Sequence, residues 1–299
     1  MEYEISNEYM KVRISSKGGE LRSLQDENGR EYLWQGDAAT WEDRGPNLFP
    51  YIGRMTERTY TYKGKSYHMD IHGFLPTSEM SVRVQEKDRL VLFLDSTEST
   101  REQYPFEFSL ELSYYLEGRQ LKLGFHVENR GSDTMYFAVG GHPGFCVPAE
   151  DGLGFEDYYM DFGENAEPLR EQFSDDCFVL DERTDFALRE KRYLDLRHDL
   201  FDRDAIVLTR MPKEVALTAK GASREIRVSY PDMDYLGIWH WPKAEVPYVC
   251  IEPWSSLPSR KGIVEDFEKQ DNLLSLEPGK EYKNNWQIAV VLRKKQEEK

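Results

Sequence analysis

In each of two short motifs, a residue that can carry a proton follows an apolar run and is itself followed by proline. His142 lies in the segment GGHPGF (residues 140–145) after the apolar run 135–139, and Glu252 follows the apolar run 249–251. A following proline disfavours the helical region, so both residues are expected to have an extended backbone at a strand end. Since a histidine titrates near neutrality and an ionised glutamate accepts a proton, the two together suit proton transfer to and from oxygens of one substrate.

A structural role is the alternative for each of these residues. A turn histidine is often satisfied by backbone groups, and a buried glutamate is often paired with an arginine. Because two proton-carrying residues occur in the same setting, and one of them lies beside Trp254, the sequence supports a functional pair as strongly as a structural one.

Two further polar residues lie in stretches that proline and glycine keep out of regular structure. Residues 45–54 (GPNLFPYIGR) form an apolar loop that ends in Arg54. A guanidinium offers several donors to hydroxyl or carboxylate oxygens, although a surface ion pair is an equal alternative. His72, which glycine and phenylalanine follow, either orients a substrate hydroxyl or caps a turn. His68 lies four residues before His72, but no third ligand occurs at a familiar spacing, so no metal site is predicted.

The overall charge excludes several classes of partner. The 299 residues include 39 basic and 55 acidic side chains, and the resulting net charge of −16 repels phosphate backbones and anionic membranes. Nucleic acid is therefore not an expected partner. The apolar run 90–94 is far too short to cross a bilayer, and the acidic start of the chain does not resemble a signal peptide. The odd set Cys146, Cys177 and Cys250 is typical of reduced thiols in a cytoplasmic protein.

Period-two alternation of apolar and polar residues recurs along most of the chain and predicts β-strands. No linker interrupts this pattern, which indicates an all-β antiparallel sandwich or barrel in one domain, residues 1–299. The acidic region 150–204 is predicted to form long loops, residues 262–270 are the best helix candidate, and the charged end 294–299 is expected to fray. The predicted strands occupy residues 9–14, 20–24, 31–34, 60–62, 81–84, 90–94, 106–115, 121–127, 135–139, 205–208, 215–218, 226–230, 236–241, 248–251 and 286–292.

Aromatic residues are concentrated near the strand that carries the glutamate. Trp239, Trp241 and Trp254 all lie there, and flat rings of this kind stack on the apolar face of a sugar. Most aromatic side chains of an all-β protein belong to its core, so a ligand role is predicted only for rings that lie beside His142 and Glu252.

The order of three motifs along the chain resembles a known superfamily. The segments HGF (72–74), GHPGF (141–145) and IEPW (251–254) are similar to motifs of the aldose 1-epimerase, or galactose mutarotase-like, superfamily, and the similarity covers nearly the whole chain. The chain looks most like the branch associated with bacterial lactose operons. The resemblance implies a large antiparallel β-sandwich, the galactose mutarotase-like supersandwich, with few short helices and an open cleft for a small sugar. No cofactor is expected.

The resemblance also implies roles for individual residues. Glu252 would take the proton of the anomeric hydroxyl and His142 would protonate the ring oxygen, so that the ring opens and recloses on the other face. The family's substrate-holding aspartate is most similar to Asp204, although Asp202 is only two positions away. The residues expected to contact the sugar are Arg54, His72, Phe145, Asp204 and Trp254.

Two departures from the family pattern bear on the substrate. Typical mutarotases have a tyrosine where this chain has Gly144, so their sugar preference does not transfer. Hexose-phosphate epimerases place an arginine two residues after the HGF motif, where this chain has Pro76. Together with the negative net charge, this favours interconversion of the α and β anomers of an unphosphorylated aldose, unless Arg58 or Arg44 supplies the missing contact.

Three other functions are compatible with the same residues. The chain could be a hexose-6-phosphate 1-epimerase, a carbohydrate-binding protein that has lost catalysis, or a glycoside hydrolase with Glu252 and Asp204 as its two carboxylates. The sequence does not choose between a monomer and a homodimer, and it does not identify the sugar.

Overall fold

The computed structural model describes residues 1–293, and the end that was expected to fray, residues 294–299, lies outside this part. β-Strands are the dominant element. In chain order they are β1 (Glu2–Ser6), β2 (Met10–Ser15), β3 (Leu21–Asp26), β4 (Asn47–Leu48), β5 (Thr59–Tyr62), β6 (Lys65–His68), β7 (Ser81–Gln85), β8 (Arg89–Asp95), β9 (Phe108–Glu117), β10 (Gln120–Asn129), β11 (Met135–Phe137), β12 (Gly140–Gly141), β13 (Gly144–Cys146), β14 (Tyr158–Asp161), β15 (Leu169–Phe173), β16 (Val179–Asp185), β17 (Tyr193–Asp195), β18 (Ile206–Thr209), β19 (Glu214–Ala219), β20 (Arg224–Ser229), β21 (Tyr235–Trp239), β22 (Tyr248–Trp254), β23 (Glu265–Asp266), β24 (Leu274–Leu276) and β25 (Glu281–Leu292).

The helical elements of residues 1–293 are short. Within this range there is one α-helix, α1 (Glu98–Gln103). Single 3-10 turns occur at Thr56–Arg58, Leu75–Thr77, Phe155–Asp157 and His198–Phe201. No helix in this part of the chain is long and apolar enough to cross a membrane.

Two large sheets form a sandwich, which confirms the all-β prediction. The nine-stranded sheet has the order β17-β14-β19-β20-β25-β10-β9-β8-β7, and the eight-stranded sheet has the order β16-β15-β18-β21-β22-β12-β4 with β13 also paired to β22. Strand pairs within both sheets are antiparallel. Three smaller sheets, β1-β2-β3, β11-β24 and β23-β5-β6, complete the described fold.

The core lies between the two large sheets and follows from strand alternation. Leu208, Leu236 and Ile251 from the eight-stranded sheet belong to the same buried cluster as Val228 and Ile288 from the nine-stranded sheet, and all five are fully buried. The residues that alternate with this inner set on β18, β21 and β22 must therefore face away from the core. That outer face of the eight-stranded sheet is where the candidate site lies.

Three local predictions were wrong. The acidic region 150–204 contains the strands β14 to β17; β16 buries only its first residue, Val179, so its sequence lacks the alternation that marks a half-buried strand. Residues 262–270 are not helical, because Gly262 has a φ of +71° and Phe267 is stacked 3.7 Å from the ring of Tyr60. Residues 31–34 form only isolated bridges to neighbouring chain segments.

Close packing at Gly141 connects the eight-stranded sheet to the nine-stranded one. A Cβ atom at this position would lie 2.5 Å from the ring of Trp286 on β25, and Trp286 is itself buried. Real Cβ atoms do not approach a neighbour this closely, so only glycine fits without movement of the ring. Gly141 therefore fixes the distance between the two sheets directly before His142.

We expect Gly141→Ala to lower the free energy of unfolding by about 1–3 kcal/mol, because the added methyl group overpacks a filled interior. Urea unfolding followed by tryptophan fluorescence measures the change. Gly154→Ala is the matched control, since the Cβ of that residue would come no closer than 3.7 Å to another atom, and its effect should stay within about 0.5 kcal/mol. An unfolding midpoint of Gly141→Ala equal to that of the wild type would contradict the packing argument.

Candidate active site

Strand register places His142 directly opposite Glu252. Gly140 pairs with Trp254 on one side of the histidine, and Gly144 pairs with Cys250 on the other. The residue midway between the two glycines therefore faces the residue midway between their partners, and side chains in such positions share one face of the sheet. The His142 backbone N–H donates to the Pro46 carbonyl at 2.9 Å, which holds this segment against the loop before β4.

A glycine on the next strand leaves space beside the glutamate. Gly237 pairs with Glu252 on one side and with Val207 on the other. These three residues, on β21, β22 and β18, form one row with His142, which lies between β12 and β13. A Cβ atom at Gly237 would lie 3.2 Å from the Glu252 Cβ and 3.1 Å from the ring of Trp254. The absence of a side chain at Gly237 therefore lets both residues keep their positions.

The row lies in a cleft of about 310 Å³ on the outer face of the eight-stranded sheet. Six of the seven residues predicted from the sequence line this cleft, namely Arg54, His72, His142, Asp204, Glu252 and Trp254. They come from loops and strands that are far apart in the chain. Phe145 is the exception and corrects a prediction: it is fully buried in the core, because its place on β13 alternates with Gly144 and directs the ring to the inner face.

The central pair is close and almost completely buried. His142 Nε2 and Glu252 Oε2 lie 3.1 Å apart, and the Glu252 side chain is 1% exposed. Burial lowers the pKa of His142 to about 3, and the adjacent His72 adds to the shift. Burial also raises the pKa of Glu252 well above its usual range, and the charge of Asp204 adds to that rise. Both shifts favour the uncharged form of the group, so a charge on either side chain is disfavoured unless the opposite charge lies beside it.

Several polar atoms of the site have no protein partner. Glu252 Oε2, His142 Nδ1 and the Trp254 indole nitrogen are buried and make no hydrogen bond to any residue within 1–293. The approach of His142 to Glu252 is therefore close but not aligned as a hydrogen bond. Buried polar groups are normally paired, so unpaired atoms at the wall of a cleft indicate positions where a ligand completes the hydrogen bonding.

His72 is held in one tautomer and one orientation. Its Nδ1 accepts a hydrogen bond from the Gly53 backbone N–H at 3.1 Å, and its backbone N–H donates to the Gly53 carbonyl at 3.0 Å. The remaining ring hydrogen is therefore on Nε2. Burial lowers the pKa of His72 to about 4, and the charge of Arg54 adds to the shift, so the ring is a neutral donor near pH 7. His68 lies on the exposed hairpin strand β6, where its Nδ1 contacts the Thr59 hydroxyl.

Asp204, and not Asp202, belongs to the cleft. Asp204 Oδ1 accepts from the Ala205 backbone N–H at 2.8 Å, and the Cys177 thiol donates to Oδ2 at 3.0 Å. Asp202 is exposed and lines a separate hollow with His198. Of the two aspartates that the sequence left open, Asp204 is therefore the one that lines the cleft.

Aromatic rings form one wall of the cleft. The Trp41 ring lies 5.1 Å from the His142 ring, and the Trp239 ring lies 5.6 Å from it at a near-perpendicular angle. Trp241 continues the wall to the rim and is 39% exposed. A Cβ at Gly144 would lie 2.7 Å from Trp41, so Trp41 fills the space next to the position where typical mutarotases have a tyrosine.

Sequence reasoning missed several residues that line the cleft. These are Trp41, Asp43, Phe173, Cys177 and Arg203. None of them follows a motif in the sequence, and Phe173, Cys177 and Arg203 lie in the region 150–204 that is predicted to form loops. Cys177 and Asp204 have positive φ values of 67° and 75° and lie in tight turns of the same wall, which only the structure reveals.

The sequence profile of the aldose 1-epimerase family matches residues 1–289. The chain belongs to this family. It is also 30% identical over 292 residues to protein LacX of Lactococcus lactis subsp. lactis, in plasmid and chromosomal forms, and the match covers 94% of this chain and 97% of the relative.

Solved structures of similar proteins have the same fold. A galactose mutarotase related enzyme from Lactobacillus acidophilus superposes with a TM-score of 0.93 at 31% identity, and the match covers 99% of this chain and 100% of that one. A galactose mutarotase-like protein from Lactobacillus casei gives a TM-score of 0.91 at 27% identity, with coverage of 97% and 100%. The predicted galactose mutarotase-like sandwich is therefore confirmed, and this aldose 1-epimerase family member is an isomerase with a small-molecule sugar as its substrate.

We expect the variant His72→Asn to weaken the pH dependence of stability of this aldose 1-epimerase family protein. The pKa of His72 is about 4 in the folded state, below the value near 6.5 of an unfolded chain, so stability is lost as the pH falls through this window. Asparagine tolerates the positive φ of 64° at this position. Between about pH 7 and about pH 5 the variant should lose about 1–2 kcal/mol less than the wild type in urea unfolding. Identical losses in both proteins would contradict a buried, neutral His72.

Proposed function

We propose that the protein interconverts the α and β anomers of an unphosphorylated aldose by opening and reclosing the sugar ring. The observation that carries this proposal is the approach of His142 Nε2 to Glu252 Oε2, at 3.1 Å, in a buried row at the base of the cleft. A group that gives a proton and a group that takes one, both accessible from the same cleft, are what ring opening of a cyclic hemiacetal requires.

The reaction starts from the ionised form of the pair, in which His142 is protonated on both ring nitrogens, Glu252 is a carboxylate, and the two charges offset each other. Glu252 accepts the proton of the anomeric hydroxyl while His142 gives its proton to the ring oxygen, and the bond between the anomeric carbon and the ring oxygen breaks. The anomeric oxygen becomes the aldehyde oxygen. Rotation about the bond next to the aldehyde presents its other face to the ring hydroxyl. Reclosure returns both protons along the same routes, so the protein ends in its starting state.

The neighbouring residues hold the sugar during this rotation. His72 offers a neutral Nε2–H donor, and the Asp204 carboxylate, oriented by its backbone and thiol partners, accepts from hydroxyls. Arg54 lines the same cleft and donates to oxygens. The Trp239 ring lies beside His142 and suits stacking on the apolar face of a sugar ring.

The charges near the cleft support an unphosphorylated substrate. Asp43 and Asp204 line the cleft together with Arg54 and Arg203, so carboxylates offset the guanidinium groups that would attract a phosphate. Arg58, which could have replaced the arginine absent at Pro76, is exposed and paired with Asp70 outside the cleft. Arg44 does not line the cleft either.

We expect Glu252→Gln and His142→Asn each to lower kcat for mutarotation by about 10²–10⁴-fold, because each removes one of the two proton carriers. Polarimetry of freshly dissolved α-glucose and α-galactose measures the rate. Glu225→Gln is the matched control: this glutamate is also buried, at 3% exposure, but lies on β20 of the other large sheet, so the rate should stay at the wild-type value. Wild-type rates in either active-site variant would refute the assignment.

The same assay with glucose 6-phosphate and galactose 6-phosphate tests the substrate class. If the wild type accelerates only the phosphorylated sugars, the protein is a hexose-phosphate epimerase and the proposal fails. If it accelerates neither class while binding a sugar in calorimetry, the protein binds carbohydrate without this catalysis.

We expect Asp204→Asn to raise KM for the aldose by about 10–100-fold with a smaller effect on kcat, because a charged acceptor for sugar hydroxyls becomes a neutral one. Asp202→Asn is the matched control two positions away, and it should leave KM unchanged because Asp202 lies outside the cleft. Equal KM values for the two variants would show that Asp204 does not hold the substrate.

A further inference from the structure

A third side chain lies beside the proton-carrying pair. The nearest ligand atoms of His142, Cys250 and Glu252 are all within 4.8 Å of one another. Cys250 precedes Glu252 by two residues on β22, so both side chains lie on the same face of the strand, and His142 reaches them from the opposite strand. Neither the ring-opening reaction nor the sugar contacts make use of this cysteine.

The three donor types form a set that suits zinc. Imidazole nitrogen, thiolate sulfur and carboxylate oxygen are the ligands that Zn²⁺ uses in proteins, and three protein ligands with one open position is a common arrangement. A coordinated thiol loses its proton. The thiolate of Cys250 and the carboxylate of Glu252 would then supply two negative charges, which neutralise one divalent cation in a buried position.

Unpaired buried atoms give a second, independent indication. Glu252 Oε2 is buried and has no hydrogen-bond partner among residues 1–293, and Cys250 is a free cysteine with no exposed surface. His142 Nε2 and Glu252 Oε2 are 3.1 Å apart, which lets both reach one ion at zinc–ligand distances of about 2.0–2.2 Å, and the Cys250 thiol, whose sulfur lies within 4.8 Å of the other ligand atoms, would complete the set at about 2.3 Å. The cleft lined by His142 and Glu252 is the entry path.

We propose that His142, Cys250 and Glu252 form a binding site for a thiophilic divalent cation, with Zn²⁺ as the type case, and that the bound ion blocks the isomerase. The ion is coordinated by the His142 nitrogen and the Glu252 carboxylate. Because the ring-opening reaction needs the same atoms to give and take protons, metal binding and catalysis exclude each other. The blocking part of this inference rests on the proposed function, whereas the binding part does not.

One other cluster within residues 1–293 has a comparable geometry but different chemistry. His126, Glu128 and Glu281 also bring their ligand atoms within 4.8 Å of one another, yet they are partly or fully exposed on the nine-stranded sheet and include no thiol. Thiolate coordination therefore distinguishes the two sites.

Cobalt titration of the full-length protein tests the binding. Co²⁺ bound to a thiolate gives a charge-transfer band in the near ultraviolet, and we expect one equivalent of this band, displaced by Zn²⁺, in the wild type and in His126→Ala. The band should be lost in Cys250→Ala. Its absence from the wild type, or its persistence in Cys250→Ala, overturns the proposal.

A double variant keeps the test decisive if Cys250→Ala does not fold. The chain has three cysteines, so Cys146→Ala combined with Cys177→Ala leaves Cys250 as its single thiol. The band must persist in this double variant. Its loss there would assign the signal to another cysteine and would refute the site.

Inhibition of mutarotation tests the consequence of binding. We expect Zn²⁺ to inhibit the wild type and His126→Ala reversibly, with recovery on addition of EDTA, and to need at least about a tenfold higher concentration in Cys250→Ala. Equal sensitivity of all three proteins would refute the block at this site. If the wild type shows no mutarotation at all, the proposed function fails while the cobalt band still decides whether the metal site exists.

Discussion

The antiparallel register of β12 and β13 against β22 is the constraint on which the site depends. Side chains alternate between the two faces of a sheet, so a slip of one residue would turn Glu252 into the core and Ile251 into the cleft. The fully buried Val249 and Ile251 on the inner face make such a slip very costly. Packing of an ordinary apolar core thereby fixes His142 and Glu252 opposite each other, without any contact that is specific to their chemistry.

Burial gives this pair its chemical character. Because both side chains are largely buried, a charge on either one is disfavoured unless the opposite charge lies beside it. The aromatic wall of Trp41 and Trp239 excludes water on one side. Two glycines provide the space that this packing needs: Gly144 lets the Trp41 ring approach, and Gly237 leaves room for Glu252 and Trp254.

The sequence predicts the fold where side chains alternate and fails where they do not. Most strands of the two large sheets have an apolar face and a polar face, and their alternation predicts them. β16 is exposed along nearly its whole length, so alternation predicts a loop there. Alternation also gives no sign of α1, although Thr97 and Thr100 form a capping box at its start. Phe145 was assigned to the cleft because it belongs to a motif, although alternation from Gly144 directs it into the core.

Local sequence patterns also explain which residues of the site the sequence predicts. Proline or glycine next to His142, Glu252 and His72 marks these residues in the sequence, and His72 has a positive φ of 64°, whereas the loop that carries Trp41 has no signal for where it folds back. Cys250 is an intermediate case. Period two puts it on the face of Glu252, so its position beside the carboxylate follows from the sequence alone. The sequence does not give the strand register, which places this face in the cleft and brings the His142 imidazole to the same point. The proposal that this buried thiol binds a metal depends on both facts.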